Sequence, residues 1–126
     1  MKTLTVNLPG RAYDIKIGSG LLSQCGALIR AVTGAETLAV VTDSNVAPLY
    51  LRRVEDSLRA AGFAVCSVVF PAGERSKNIH TLNLLYERFA EAGLTRGDGV
   101  VALGGGVTGD LAGLAAATMF RGVDLI

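Results

Sequence analysis

Residues 100–110 read VVALGGGVTGD: four apolar residues run into three consecutive glycines, and a fourth glycine follows three positions later. A short, β-branched apolar run that stops at glycine is the pattern of a strand buried on both faces of a parallel sheet. The continuation, residues 111–118 (LAGLAAAT), is uncharged and rich in small residues. It predicts a helix from about Gly109 to Phe120, buried against the sheet or against another domain.

Working outward, the same unit repeats towards the N-terminus. TLAVVT (residues 37–42) and AVCSVVF (residues 64–70) are further apolar runs of strand length, each expected to be covered on both faces. A helix is predicted between them, capped by Ser44 or Asn45, with Pro48 in its first turn, Val46, Tyr50, Val54 and Leu58 on one face, and Gly62 closing it. Its outer face offers Arg52 with Asp56 and Glu55 with Arg59 at four-residue spacing. A further helix places Ile79, Leu82, Leu85, Tyr86 and Phe89 inward and ends near Gly93. Leu21, Leu22, Cys25, Leu28, Ile29 and Val32 have helical spacing within residues 20–32. Residues 4–8 and 13–17 alternate around a Pro9-Gly10 turn and predict a hairpin or a pair of edge strands. Residues 123–126 read as a strand at its start, which suggests a piece of a longer polypeptide. The fold class is therefore α/β: a Rossmann-like open, mostly parallel sheet with helices on both faces and short antiparallel strands at the N-terminus.

Composition narrows the function classes. The 126 residues are half hydrophobic and carry 12 basic against 11 acidic side chains, a formal charge of +1. That length fits one domain, and the balance gives no electrostatic reason to expect nucleic acid or an anionic membrane as partner. The first residues form neither a secretory signal nor a membrane anchor. Cys25 and Cys66 sit in apolar runs and predict buried, reduced thiols, with a cytoplasmic setting as the corollary. The single histidine, His80, has no partner cluster for a zinc site and fits a solvated or capping role. No G-x-S-x-G elbow, P-loop lysine or cysteine–histidine pair is present.

Three features remain as candidates for chemistry. Four glycines within residues 104–109 leave backbone N–H groups bare at the start of a helix, where a phosphate or diphosphate can be held. Gly104, Gly106 and Gly109 satisfy G-x-G-x-x-G, but in a late strand–helix turn rather than the first; a tight turn with close helix packing is the alternative. Asp43 ends its strand and can either accept both hydroxyls of a ribose or cap the next helix. PAGERSK (residues 71–77) brings Glu74 and Lys77 to the end of another strand, as ligand contacts or as a solvated loop. Ligands of open α/β sheets bind at the carboxyl ends of strands, and all three features lie there.

VVTDSNVAPLY (residues 40–50), PAGERSKN (residues 71–78) and GLTRGDGVVALGGGVTGDLAGLAAATMFRGV (residues 93–123) together resemble the 3-dehydroquinate synthase family, in register over essentially the whole chain. Leu114 departs from the phenylalanine common in the family, inside a helix expected to be buried. The resemblance implies the N-terminal NAD-binding domain of a two-domain, homodimeric enzyme of the shikimate pathway that uses NAD and a divalent metal, zinc or cobalt. Its substrate would be a phosphorylated seven-carbon sugar acid, 3-deoxy-D-arabino-heptulosonate 7-phosphate. Carried over by motif, Asp43, Gly73, Glu74 and Lys77 would hold the adenosine side of NAD. Gly105, Gly106 and Val107 would contact its diphosphate, Thr108 and Gly109 would complete the turn, and Asp110 would face the nicotinamide-side ribose. Arg121 would reach the substrate phosphate. The family's pattern continues beyond residue 126 with a Pro-Thr-Thr segment, lysines, and a helical domain whose glutamate and two histidines hold the metal. No catalytic residue or metal ligand is therefore expected here, and the chain alone is expected to be inactive. Alternatives are another sugar-phosphate cyclase such as a 2-deoxy-scyllo-inosose synthase, an iron-dependent alcohol or glycerol dehydrogenase, or a non-catalytic nucleotide-binding module.

Overall fold

Strand β3 (Thr37–Asp43) is the axis of the molecule: Leu38, Ala39, Val40, Val41 and Thr42 are all fully buried. It is enclosed because it pairs in parallel with β4 (Ala64–Phe70) on one side and β5 (Gly99–Leu103) on the other. The computed structural model describes residues 2–10, 12–119 and 124–126. In it the main sheet has the order β4-β3-β5-β6, where β6 (Asp124–Leu125) pairs in parallel with β5.

Because strand side chains alternate, β3 supplies two cores. Ala39 and Val41 join Leu82, Leu85 and Phe89 of α3 (Ile79–Glu91) and Leu111, Ala112, Ala115 and Ala116 of α4 (Gly106–Thr118). Leu38 and Val40 join Ile29 of α1 (Cys25–Arg30) and Val54 and Leu58 of α2 (Arg52–Ala60) on the opposite face. A fully buried leucine such as Leu58 or Leu85 contributes about 2–3 kcal/mol of transfer free energy. The predicted sheet with helices on both faces is what the chain forms.

Its strand order places the functional end. The chain leaves β3 for β4 on one side, then crosses back to β5 on the other. The connections therefore diverge between β3 and β5, α2 covering one face and α4 the other. In open α/β sheets that switch point opens the crevice in which ligands bind. At the opposite end, Asp98 locks the entry to the sheet. Its carboxylate accepts from Thr37 N (3.0 Å), Thr95 N (2.8 Å) and Thr95 Oγ1 (3.1 Å). Burial favours the neutral acid, but these bonds, with the Glu36 backbone, outweigh it and hold the Asp98 carboxyl below the ordinary carboxylate range.

Several local expectations are corrected. The first strand, β1, is Lys2–Val6 rather than residues 4–8; it pairs with β2 (Tyr13–Ile17) as a separate antiparallel ribbon, one face lined by Leu4, Val6, Tyr13, Ile15 and Ile17. Residues 20–32 give a 3-10 turn (Leu21–Gln24) and the short α1, not one helix. A π-helical turn (Ala47–Leu51) precedes α2 and leaves Tyr50 exposed. Glu55 pairs with Arg59 at 3.9 Å, whereas no Arg52–Asp56 pair forms among the described residues. Strand β4 lies at the sheet edge, so Val69 is exposed, and Cys25 and Cys66 are free but only half-buried. Ile79 begins α3 and is 61% exposed, and Leu114 of α4 is 51% exposed: α4 buries one stripe, not its whole circumference. Phe120, Arg121 and Val123 lie outside the described residues.

Candidate functional site

Asp43 ends β3, and neither it, Ser44 nor Asn45 caps the following helix, contrary to the expectation for Ser44 or Asn45. Asp43 Oδ1 accepts from Asn45 N (2.9 Å) and Val46 N (2.8 Å). Asp43 therefore orders the turn at residues 44–46 with one carboxylate oxygen, while neither the π-helical turn nor α2 has a side-chain cap.

Ser44 turns the other way. Its N–H donates to Phe70 O (2.9 Å), extending the ladder between β3 and β4, and its Oγ accepts from Ala72 N (2.9 Å). The loop after β4 is folded on itself: Ser76 Oγ donates to Pro71 O, Ser76 N to Gly73 O (3.1 Å), and Lys77 N to Glu74 O (3.0 Å), around a 3-10 turn (Glu74–Ser76). Gly73 has φ 111° and ψ 164°, a region essentially confined to glycine. Asn78 caps α3 by accepting from Thr81 N (2.9 Å).

The sequence set Glu74 and Lys77 side by side, but Lys77 reaches further. Its Nζ lies 2.8 Å from Asp110 Oδ2 in the second turn of α4, and that hydrogen-bonded charge raises the Lys77 ammonium above its ordinary value. The loop that carries Glu74 and Lys77 thus adjoins the start of α4, which carries Asp110. Beside the Lys77–Asp110 pair a cleft of about 280 Å³ opens between α3 and α4, lined by Lys77, Asn78, Ile79, Leu82, Asp110, Leu111 and Leu114. The exposed Ile79 and Leu114 are two of its walls.

The third loop is the glycine turn. Helix α4 begins at Gly106, three residues before the predicted start, with Gly105 extended at its N-cap and no side chain capping it. Its first-turn amides therefore have no intrahelical partner. Gly104 is required by the fold: its φ is 153°, and a Cβ there would meet Thr108 Oγ1 at 2.7 Å. Gly105, Gly106 and Gly109 differ, because a Cβ on any of them would meet nothing within 4 Å and none has positive φ. A Cβ clash does not ask for glycine at these three positions; at the N-cap Gly105 glycine is a favoured residue, whereas within the helix, at Gly109, it costs up to about 1 kcal/mol relative to alanine. What they leave open is a bare backbone cradle at a helix N-terminus, a fit for a diphosphate. Val107 is half-buried over the α3–α4 core, and Thr108 is 1% exposed, its hydroxyl close to Gly104 and without a partner among the described residues.

Asp43, the Gly73–Glu74–Lys77 group and the Gly105–Asp110 turn are thus brought to one end of three adjacent strands. Arg121 lies outside the described residues, and His80 is an exposed residue of α3. Among the described residues no three histidine, cysteine, aspartate or glutamate side chains gather to hold a metal ion. No described helix is long and apolar enough to cross a membrane. The sequence offers Ser44 only as a helix cap; its pairing with Ala72 joins positions 28 apart, and only the strand order reveals it.

The model of the 3-dehydroquinate synthase N-terminal family matches residues 67–126. The 3-dehydroquinate synthase of Streptococcus gordonii is 51% identical over 123 residues, 98% of this chain and 35% of that protein. That of Geobacter metallireducens is 48% identical over all 126 residues, again 35% of its length. Among solved structures, a 2-deoxy-scyllo-inosose synthase superposes with a TM-score of 0.88 at 28% identity, covering 98% of this chain and 35% of that one. A 2-deoxy-scyllo-inosose synthase complexed with carbaglucose-6-phosphate, NAD+ and Co2+ gives 0.86 at 27% identity, with 98% and 34% covered. The chain thus resembles 3-dehydroquinate synthases throughout and spans about a third of the length of the curated relatives it matches.

Proposed function

We propose that this chain, similar from end to end to the N-terminal third of 3-dehydroquinate synthases, is the NAD-binding portion of such an enzyme. The parent reaction would convert 3-deoxy-D-arabino-heptulosonate 7-phosphate to 3-dehydroquinate and phosphate. When bound, NAD supplies reversible hydride transfer at a ring hydroxyl, which acidifies the neighbouring proton for β-elimination of phosphate before reduction and aldol closure. The remaining steps belong to residues beyond this chain, as do the ligands of the zinc or cobalt ion. The parent protein is proposed as a cytoplasmic homodimer, with Arg121 directed to the substrate phosphate.

The observation that carries this reading is the cradle at Gly105, Gly106 and Gly109, bare without any packing reason, at the strand-order reversal between β3 and β5. In this reading the first-turn amides of α4, including that of Val107, hold the diphosphate; Thr108 and Gly104 fix the turn's shape. Asp43 keeps Oδ1 on the α2 turn and offers Oδ2 to a ribose. Gly73 lets the loop after β4 fold so that Glu74 and Lys77 face the adenosine side, while Asp110 faces the nicotinamide-side ribose. A 2-deoxy-scyllo-inosose synthase is the second reading, favoured by the superposition but at 28% identity against 51% for the 3-dehydroquinate synthase of S. gordonii.

Two measurements test it. Calorimetric titration with NAD should give binding that Asp43→Asn weakens about tenfold at an unchanged melting temperature, since the amide oxygen still accepts from Asn45 N and Val46 N but lacks the charge. Equal affinity in wild type and variant would remove Asp43 from the site. Supplied with NAD, zinc and the seven-carbon substrate, the chain alone should release no phosphate; sustained turnover would contradict the division of labour.

A further inference from the structure

We infer that Ser44 is a positioning residue for cofactor binding, acting through Ala72 on Glu74 and Lys77; this rests on the NAD reading above. Both polar groups of Ser44 go to the exit of β4: its N–H to Phe70 O and its Oγ to Ala72 N, each at 2.9 Å. Pro71 lies between these two contacts and has no N–H. The Ala72 amide is therefore the first donor by which the loop can be tied down after the strand, and the Ser44 hydroxyl is what receives it.

From Ala72 onward the loop is internally braced. Ser76 Oγ returns to Pro71 O, and Ser76 N and Lys77 N close turns onto Gly73 O and Glu74 O. A braced loop moves as a unit about its entry. The Ser44 contact fixes that entry, and Lys77 carries the fixed position across to Asp110. Asp43, one residue earlier, anchors the turn into α2, so Ser44 joins the loop after β3 to the loop after β4. Ser44 is exposed and belongs to neither core, so its hydroxyl matters to the geometry of this end of the sheet more than to global stability. Lost tethering should appear as weaker binding with the fold intact.

The test uses Ser44→Ala, Ser44→Thr, Lys77→Ala and the Ser44→Ala/Lys77→Ala double variant, with calorimetric NAD titration, thermal melts and amide hydrogen exchange. Ser44→Ala is expected to speed exchange at the Ala72 amide and raise the NAD Kd about three- to tenfold, the range of one net hydrogen bond. Its melting temperature should stay within about 2 °C of wild type. Ser44→Thr keeps a hydroxyl and should restore both the exchange rate and the affinity. In the Lys77→Ala background Ser44→Ala should cost little more, because contacts acting through one another are not additive. Unchanged affinity or unchanged Ala72 exchange in Ser44→Ala, full additivity with Lys77→Ala, or failure of the threonine rescue would each overturn the role while leaving the NAD reading intact. Absence of NAD binding in the wild type would overturn the cofactor reading and the role together.

Discussion

Lys77 Nζ and Asp110 Oδ2 lie 2.8 Å apart, joining the loop after β4 to the helix after β5, the two strands that flank β3. This contact raises the Lys77 ammonium above its ordinary value, chiefly through the hydrogen bond and charge of Asp110 and then through Glu74. A raised folded-state value means that any stabilisation is fully present below the unfolded lysine's value and fades as pH rises through the folded one. Asp110→Asn should therefore bring the Lys77 side-chain titration, followed by NMR, back towards ordinary lysine, and added salt should do the same in part. Because both side chains are about half exposed, the melting temperature should hardly move. An unaltered Lys77 titration in Asp110→Asn would show that the pair does not persist in solution.

Asp98 gives the opposite pH dependence. Its carboxyl, 6% exposed, is held below the ordinary range by donors from Thr95, Thr37 and Glu36. Its contribution is thus present above the unfolded carboxyl's value and lost as pH falls through the lower folded value. Asp98→Ala should cost about 1–3 kcal/mol at neutral pH, since a charged acceptor of several part-buried donors is removed. Denaturant melts across an acid pH series should show a flatter profile for the variant than for wild type.

Thr42 offers a stabilising change. Its side chain is fully buried in the middle strand and its Oγ1 has no partner among the described residues. Thr42→Val keeps the β-branched shape suited to the strand and removes an unpaired hydroxyl, so a gain of about 1 kcal/mol is expected in denaturant melts. A loss of stability would indicate that the hydroxyl is satisfied in solution.

How much of this was legible in the chain differs by element. TLAVVT and VVAL are legible as strands because a strand buried on both faces is a near-continuous apolar run, and the observed strands extend each by one residue, Asp43 and Gly99. The alternation of strands and helices then followed. Strand order was not legible, and with it went the edge position of β4, which exposes Val69, and the Ser44–Ala72 tether. The start of α4 is hidden by glycine's poor helix propensity, although Gly106 opens the helix. Ile79 and Leu114 followed helical patterning but face the cleft rather than a core, since periodicity assigns a face without saying what covers it. The candidate residues were readable as strand-end polar groups; that Lys77 pairs with Asp110 instead of Glu74 depended on the third dimension.

The four glycines of the turn should separate by role. Gly104→Ala forces positive φ on a side chain and drives Cβ to 2.7 Å from Thr108 Oγ1. It should cost about 2 kcal/mol or more, read as a lowered denaturation midpoint whether or not cofactor is added.

Gly106→Ala decides the central claim most directly, because a Cβ there meets nothing within 4 Å beyond its chain neighbours and its own helix backbone, whereas the proposed reading has it crowd the diphosphate. Calorimetric titration of this variant with NAD, beside its thermal melt, should show affinity reduced at least about tenfold with stability unchanged or raised. NAD binding as tight as in the wild type would contradict the placement of the cofactor against the start of α4.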